Sequence, residues 1–149
     1  MNKRKVNVIL KGFGKVPLYA TERSAGADLY SANASDIVLQ PMERKLIPTG
    51  LYMELPEDAE GCIRPRSGLS LKKGIVAIEG TIDADYQGEV GIILINLSDE
   101  PFIIERGERL AQMVCNGNGG LFQAEWNIVS EFTRDSERGA NGFGHTGTK

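Results

Sequence analysis

Residues 75–96 read Ile75-Val76-Ala77-Ile78, then Glu79-Gly80-Thr81-Ile82-Asp83-Ala84-Asp85-Tyr86-Gln87-Gly88, then Glu89-Val90-Gly91-Ile92-Ile93-Leu94-Ile95-Asn96. Two short apolar runs rich in β-branched residues enclose a polar, glycine-bearing segment, a pattern that predicts strand, turn or hairpin, strand. The same rhythm continues in both directions. Val6–Leu10, Ile37–Leu39, Lys45–Ile47, Leu51–Leu55, Cys62–Arg64, Phe102–Ile104 and Trp126–Val129 are further runs of this kind, parted by Gly, Pro, Asn and Asp. No long window holds a helical period through good helix formers, so the expected fold is all-β, a sandwich or jelly roll. One short helix is expected from Ser67 to Gly74, where Ser67 is placed to N-cap, Lys72 and Lys73 suit the last turn and Gly74 suits C′.

A chain of 149 residues fits one domain. Hydrophobic residues at 41% and charged residues at 25% are the balance of a chain that buries a core. Eighteen Gly, about 12% against about 7% on average, point to tight turns. Residues 1–133 read as the β domain. Residues 134–149 differ in kind, being polar and Gly-rich, and are expected to form a C-terminal arm that is mobile without a ligand. The formal net charge of −3 disfavours binding nucleic acid through its backbone, while leaving small phosphorylated ligands open. Ile92–Ile95 is far too short to span a bilayer. Lys3-Arg4-Lys5 followed by Val6–Leu10 is too short for a signal peptide and is expected to be a solvated terminus. Cys62 and Cys115 share no metal-ligand spacing, so both are expected to be buried small hydrophobes of a reducing compartment: the cytoplasm, or the nucleus or host cytosol if the source is eukaryotic or viral. With His145 as the one histidine, metal sites built on several His are excluded and a Ser-His-Asp triad has little room.

Five segments carry groups able to do chemistry. In Arg64-Pro65-Arg66-Ser67-Gly68, a helix N-terminus beside guanidinium groups favours a phosphate, although the pattern serves equally as an ordinary cap. In Gly80–Gly88, Asp83 and Asp85 share a face if the segment is extended, with Tyr86 opposite. That segment can seat a planar base on backbone groups, stack a ring on Tyr86 and offer a carboxylate to activate water, or it is a hairpin whose Asp side chains cap their own backbone. Asp28, in Ser24-Ala25-Gly26-Ala27-Asp28-Leu29, enters a strand and can hold Mg²⁺ through water or act as a turn residue. Gly107–Gln112 reads as a turn leading into a buried strand, with Gln112 a donor to phosphate oxygens or a satisfied core amide. The arm carries Arg138 for phosphate charge and Phe143 for stacking, the parts of a lid, or else is a disordered terminus. His145 reads as a solvated arm residue.

In this order and at these separations the segments resemble the five motifs of the homotrimeric dUTPase family, from about Ala25 to Gly147. Pro65-Arg66-Ser67-Gly68, Ile82-Asp83-Ala84-Asp85-Tyr86 and Arg138-Gly139…Gly142-Phe143-Gly144-His145-Thr146-Gly147 carry the resemblance. It implies a jelly roll assembled as a trimer, with active sites at the subunit interfaces and Mg²⁺ bound to the triphosphate of the substrate. The implied reaction is dUTP and water giving dUMP and diphosphate, which limits uracil in DNA and supplies dUMP for dTMP synthesis. By position Asp83 is the general base, Tyr86 packs under the deoxyribose, and Gly80, Thr81 and Ile82, with Gly91 near, read the uracil edge. Arg66, Ser67, Gly68 and Gln112 bind phosphate, Asp28 lies near the metal through water, and Arg138, Phe143 and Gly144 belong to the covering arm. Two arm positions, Asn141 and His145, depart from the small residues frequent in the family. Ile78-Glu79-Gly80 is a short form of the stretch before the hairpin, in which Glu79 either contacts the base or is a surface residue at the turn. Two other functions are open to the same fold: deamination of dCTP, which ammonia release would separate, and a non-catalytic binding role, against which the joint presence of Asp83, Arg66, Ser67, Gln112, Arg138 and Phe143 argues.

Overall fold

A computed structural model describes residues 1–136, 138–144 and 146–148. In chain order the elements are β1 (Lys3–Leu10), β2 (Leu18–Tyr19), β3 (Gly26–Tyr30), β4 (Ile37–Leu39), β5 (Arg44–Glu54), β6 (Glu60–Arg64), α1 (Ser67–Lys73), β7 (Ile75–Ala77), β8 (Gly80–Ile82), β9 (Glu89–Asn96), β10 (Phe102–Ile104), β11 (Arg109–Gly117) and β12 (Gly120–Ile128). The fold is all-β with one short helix, a jelly roll. Strands pair in the order β2-β3-β11-β12-β1-β5-β9-β7, β6 joins β11 and β8, and β4 with β10 forms a separate ribbon. β12 lies parallel to β1 and antiparallel to β11. No helix among the described residues is long and apolar enough to cross a membrane.

Period-two alternation decides which face of each strand goes inside. In β9, Val90, Ile92 and Leu94 are buried while Ile93 and Ile95 stand half-buried on the other face. Val6 and Val8 of β1, Ile47, Leu51 and Met53 of β5, Met113 of β11 and Phe122 of β12 complete the interior. Each such side chain contributes about 1.5–3 kcal/mol by leaving water.

Several expectations need correction. Lys45–Ile47 and Leu51–Glu54 belong to one strand, β5, with Leu55 just past its end. Gly50 carries it through a shift of register at φ 63°, where a Cβ would stand 2.4 Å from the Lys11 carbonyl oxygen. β2 and β8, two and three residues long, were not legible as runs, whereas the strand that Asp28 enters is β3 and the buried strand expected after the Gly107 turn is β11. Lys3 and Lys5 are exposed as expected, but the triplet opens β1, and Arg4 is half-buried in a two-pronged pair with Asp58 at 3.0 and 2.7 Å. Cys115 is buried as expected, but Cys62 is only half-buried and its thiol donates to Glu60 Oε1 at 3.2 Å.

Candidate active site

β8 is three residues long and pairs with β6 along one edge, Gly61 with Ile82, Cys62 with Thr81 and Ile63 with Gly80. Its second edge carries no strand among the described residues, leaving backbone polar groups able to read a ligand edge. That edge lines a cavity of about 210 Å³ between Ile63, Ile78, Gly80–Asp83, Tyr86, Val90, Gly91 and Ile93. The volume lies below the roughly 300–1,000 Å³ of pockets for drug-sized ligands, so it suits one small ring system and not a whole triphosphate. Gly91 makes the wall flat: a Cβ there would stand 2.5 Å from Leu46 Cδ1 and 3.2 Å from Phe143 Cζ.

The segment after β8 takes the turn expected between two strands, so Asp83 and Asp85 do not share an extended face. Tyr86 N–H donates to the Asp83 carbonyl oxygen at 3.0 Å, closing a turn. Tyr86 lies half-buried under the turn, and its hydroxyl donates to the Glu89 carbonyl oxygen at 2.7 Å. Burial first, then the carboxylate of Glu89 and Tyr52, push its phenol above the ordinary value, so it stays a neutral donor. Both acids converge on one cation: Arg138 Nη2 lies 3.1 Å from Asp83 Oδ2 and Arg138 Nε 3.2 Å from Asp85 Oδ1.

Arg138 reaches them because the arm lies against the turn. Gln87 N–H donates to the Gly139 carbonyl oxygen at 2.7 Å, and Gln87 Nε2 to the Arg134 carbonyl oxygen at 2.9 Å. The arm root is held by Glu54, buried at 3% exposure. Its carboxylate accepts from Asn7 Nδ2 at 3.0 Å, Thr133 N–H at 3.0 Å, Thr133 Oγ1 at 3.0 Å and Arg134 N–H at 2.8 Å. Burial raises the Glu54 carboxyl, but these hydrogen bonds outweigh it and hold it below its ordinary value. Phe143 and Gly142 complete the cavity wall.

The phosphate-binding candidates form a second cluster. On β3 and β11, Asp28 and Gln112 are cross-strand partners, and Arg64 of β6 faces Gln112 from the other side. Asp28 Oδ1 lies 3.3 Å from Arg66 Nε and its Oδ2 3.5 Å from Arg109 Nη1. Gln112 Nε2 donates to the Pro65 carbonyl oxygen at 2.9 Å. Ser67 is not the N-cap: that place belongs to Arg66, with no side-chain cap bond, so Ser67 and Gly68 stand exposed in the first turn of α1. Gly74 ends the helix at φ 69°, accounting for the expected C′ glycine.

Asp83, Gly80, Thr81, Ile82, Tyr86, Gly91, Arg138 and Phe143 are thus brought together, with Gly144 following exposed. Asp28, Arg66, Ser67, Gly68 and Gln112 form the other group and line no part of that cavity. Glu79 is exposed. His145 lies outside the described residues. Sequence reasoning missed Arg109, Gln87 and Glu54. Only Glu54 left a signal, a lone carboxylate inside the apolar run Leu51–Leu55.

A family model described as dUTPase matches residues 14–147. The "Deoxyuridine 5'-triphosphate nucleotidohydrolase" of Wolbachia sp. subsp. Brugia malayi is 47% identical over 98% of this chain and 96% of its own length. The protein of the same description from Cytophaga hutchinsonii is 48% identical over 95% of this chain and 91% of its own. Among solved structures, a mutant dUTPase from phage phi11 of S. aureus, described for its coordination of a structural Mg(II) ion, is 28% identical at a TM-score of 0.70, covering 87% of this chain and 99% of that one. A mutant dUTPase of Staphylococcus bacteriophage 80alpha with dUpNHpp is 30% identical at a TM-score of 0.67, covering 97% and 99%.

Proposed function

The chain belongs to the dUTPase family, and from that membership we infer how its own residues carry out dUTP hydrolysis. Asp83 takes the proton of a water that attacks the α-phosphorus. The new bond is water oxygen to α-phosphorus, the bond broken is the α–β bridge, and diphosphate leaves with the bridging oxygen. The observation that carries this reading is the placement of Asp83 beside a small ring-sized cavity, with Tyr86 beneath and Arg138 within 3.1 Å. A base must stand close to the proton it takes, and an arginine at the same carboxylate is placed to meet phosphate charge.

The free edge of β8, from Gly80 to Ile82, reads the donor and acceptor pattern of uracil, and the Tyr86 ring packs under the deoxyribose, leaving no space for a 2′-hydroxyl. Gly91 and Phe143 enclose the base. Arg66, Ser67, Gly68 and Gln112 bind the phosphate chain, with Arg109 and Asp28 fixing the Arg66 guanidinium. Because these residues line no part of the base cavity, a complete site is assembled from two chains of a homotrimer, base side from one and phosphate side from its neighbour. In the cell the reaction limits uracil in DNA and supplies dUMP for dTMP synthesis.

The donor set fits Mg²⁺ only as an ion brought by the substrate. Among the described residues no three acidic, His or Cys side chains cluster, and both Asp28 oxygens already face guanidinium groups. Mg²⁺ keeps most of its waters and binds phosphates readily, so Asp28 would meet it through water. When bound, the ion supplies neutralisation of phosphate charge. Diphosphate release from dUTP by wild type and Asp83→Asn tests the reading: full turnover without the carboxylate would refute it.

A further inference from the structure

The turn that carries Asp83 and Tyr86 is fastened to an irregularity in the strand beside it. Between the pairs Pro48–Gly91 and Tyr52–Glu89, β5 advances four residues while β9 advances two, so Thr49, Gly50 and Leu51 leave the ladder with β9. Backbone groups freed in this way need other partners. Gly50, which is buried, donates its N–H to Glu89 Oε2 at 2.9 Å, and Leu51 N–H donates to Thr49 Oγ1 at 3.1 Å. The Thr49 hydroxyl in turn donates to the Val90 carbonyl oxygen at 2.5 Å. Behind the bulge lies the Lys11–Gly14 turn. Lys11 N–H donates to the Gly50 carbonyl oxygen at 2.9 Å, and a Cβ on Gly14 would stand 2.5 Å from that same oxygen. The Glu89 carboxylate is therefore held by a backbone with no room to shift.

Glu89 also reaches the site through its backbone. It opens β9, and its carbonyl oxygen accepts from the Tyr86 hydroxyl at 2.7 Å. The hydroxyl arrives there by passing over Gly88, where a Cβ would stand 2.6 Å from it. One residue thus joins the bulge, through its carboxylate, to the aromatic ring, through its carbonyl. Choosing between a hydrogen and a hydroxyl on one sugar carbon works only while that ring is held, since a displacement of about 1 Å is enough to spoil a fitted site. The link runs between β5 and β9 and involves no residue of the arm.

We propose that Glu89 is a positioning residue for sugar selection: by tying the Gly50 bulge to the Tyr86 hydroxyl, it keeps the ring where a 2′-hydroxyl collides with it. The proposal rests on the reading above, in which the chain hydrolyses dUTP with Tyr86 under the deoxyribose. Glu89 acts through Tyr86 and takes no part in the proton transfer, so its loss shows in the choice between dUTP and UTP more than in turnover.

Steady-state hydrolysis of dUTP and UTP by the full-length protein in Mg²⁺ tests it, the readout being the ratio of the two kcat/KM values, with Tm measured alongside. Glu89→Ala leaves the buried Gly50 N–H without its acceptor, and is expected to lower the dUTP-to-UTP ratio about tenfold, the change for dUTP lying in KM rather than kcat. Glu89→Gln keeps an oxygen for that N–H and is expected to recover most of the ratio. Tyr86→Phe cuts the same link at its other end while keeping the ring, and is expected to lower the ratio to a similar extent. Adding Glu89→Ala to Tyr86→Phe should then lower it little further, because both changes break one path. An unchanged ratio in Glu89→Ala, with or without a fall in Tm, would overturn the proposal, as would a Gln variant no better than the Ala variant. If Glu89→Ala does not fold, Tyr86→Phe decides: an unchanged ratio there refutes the link. Tyr86→Ala separates the two levels of the argument. A wild-type ratio after removal of the whole ring, or no dUTP hydrolysis by the wild type, would defeat the underlying reading and the proposal with it, whereas a lowered ratio in Tyr86→Ala alone would defeat only the role of Glu89.

Discussion

Replacing Glu54 by Gln keeps the volume of a side chain that is 3% exposed and removes its charge. The carboxylate accepts four hydrogen bonds between 2.8 and 3.0 Å, three of them from Thr133 and Arg134 at the arm root. An amide keeps one oxygen and turns N–H groups toward the donors that faced the other. Hydrogen bonds to a charged partner contribute about 1.5–3 kcal/mol each, but Thr133 is exposed and water replaces part of the loss. The expected net change is about 2 kcal/mol in arm docking, or about 30-fold in its equilibrium. The β interior is untouched, so the loss falls on local opening and not on global unfolding. Tryptic cleavage after Arg138 follows the open population when closing is fast, so its rate is expected to rise about 30-fold while kcat/KM for dUTP falls. The pH dependence has a definite sign. Because Glu54 is held below its ordinary value of 4.5, its contribution is complete above that pH and is lost as pH falls through the lower folded value. Equal cleavage rates and equal kcat/KM in wild type and Glu54→Gln would refute this account of the arm.

Gly91→Ala should raise KM for dUTP by an order of magnitude or more in a steady-state assay with little change in Tm, because the added Cβ meets Leu46 and Phe143 at the cavity wall. Asp28→Asn should weaken substrate binding by roughly fivefold, read as KM, since Arg66 and Arg109 lose the charge that orients them. Thiol titration should find Cys62 in the folded protein and Cys115 only after denaturation, because burial pushes the Cys115 thiol up to about 12.

Much of the architecture was legible because strands such as β9 and β1 write their buried face in period two. The helix was legible from Lys72, Lys73 and Gly74, but its cap was not: Ser67 and Arg66 differ by one position, and only backbone angles decide between them. β11 was legible only as a buried strand following the Gly107 turn: Arg109, Gln112 and Asn116 break its apolar run, and the partners of Arg109 and Gln112 lie far away in sequence. Both groups of site residues were legible as motifs. Their separation into a base cavity and a phosphate cluster was not, since that depends on which edges β6, β8 and β11 leave free. The docking of the arm by Glu54 and Gln87 was equally hidden, because hydrogen bonds across 47 or 79 positions leave no local pattern.

The most direct test of the central claim is diphosphate release from dUTP, dTTP, dCTP and UTP in the presence of Mg²⁺, for wild type and Asp83→Asn side by side. Release from dUTP alone, lowered about 10²–10⁴-fold in the variant at similar KM, is the expected result for a positioned general base. Comparable release from the other nucleotides, or an undiminished rate without the carboxylate, would contradict it.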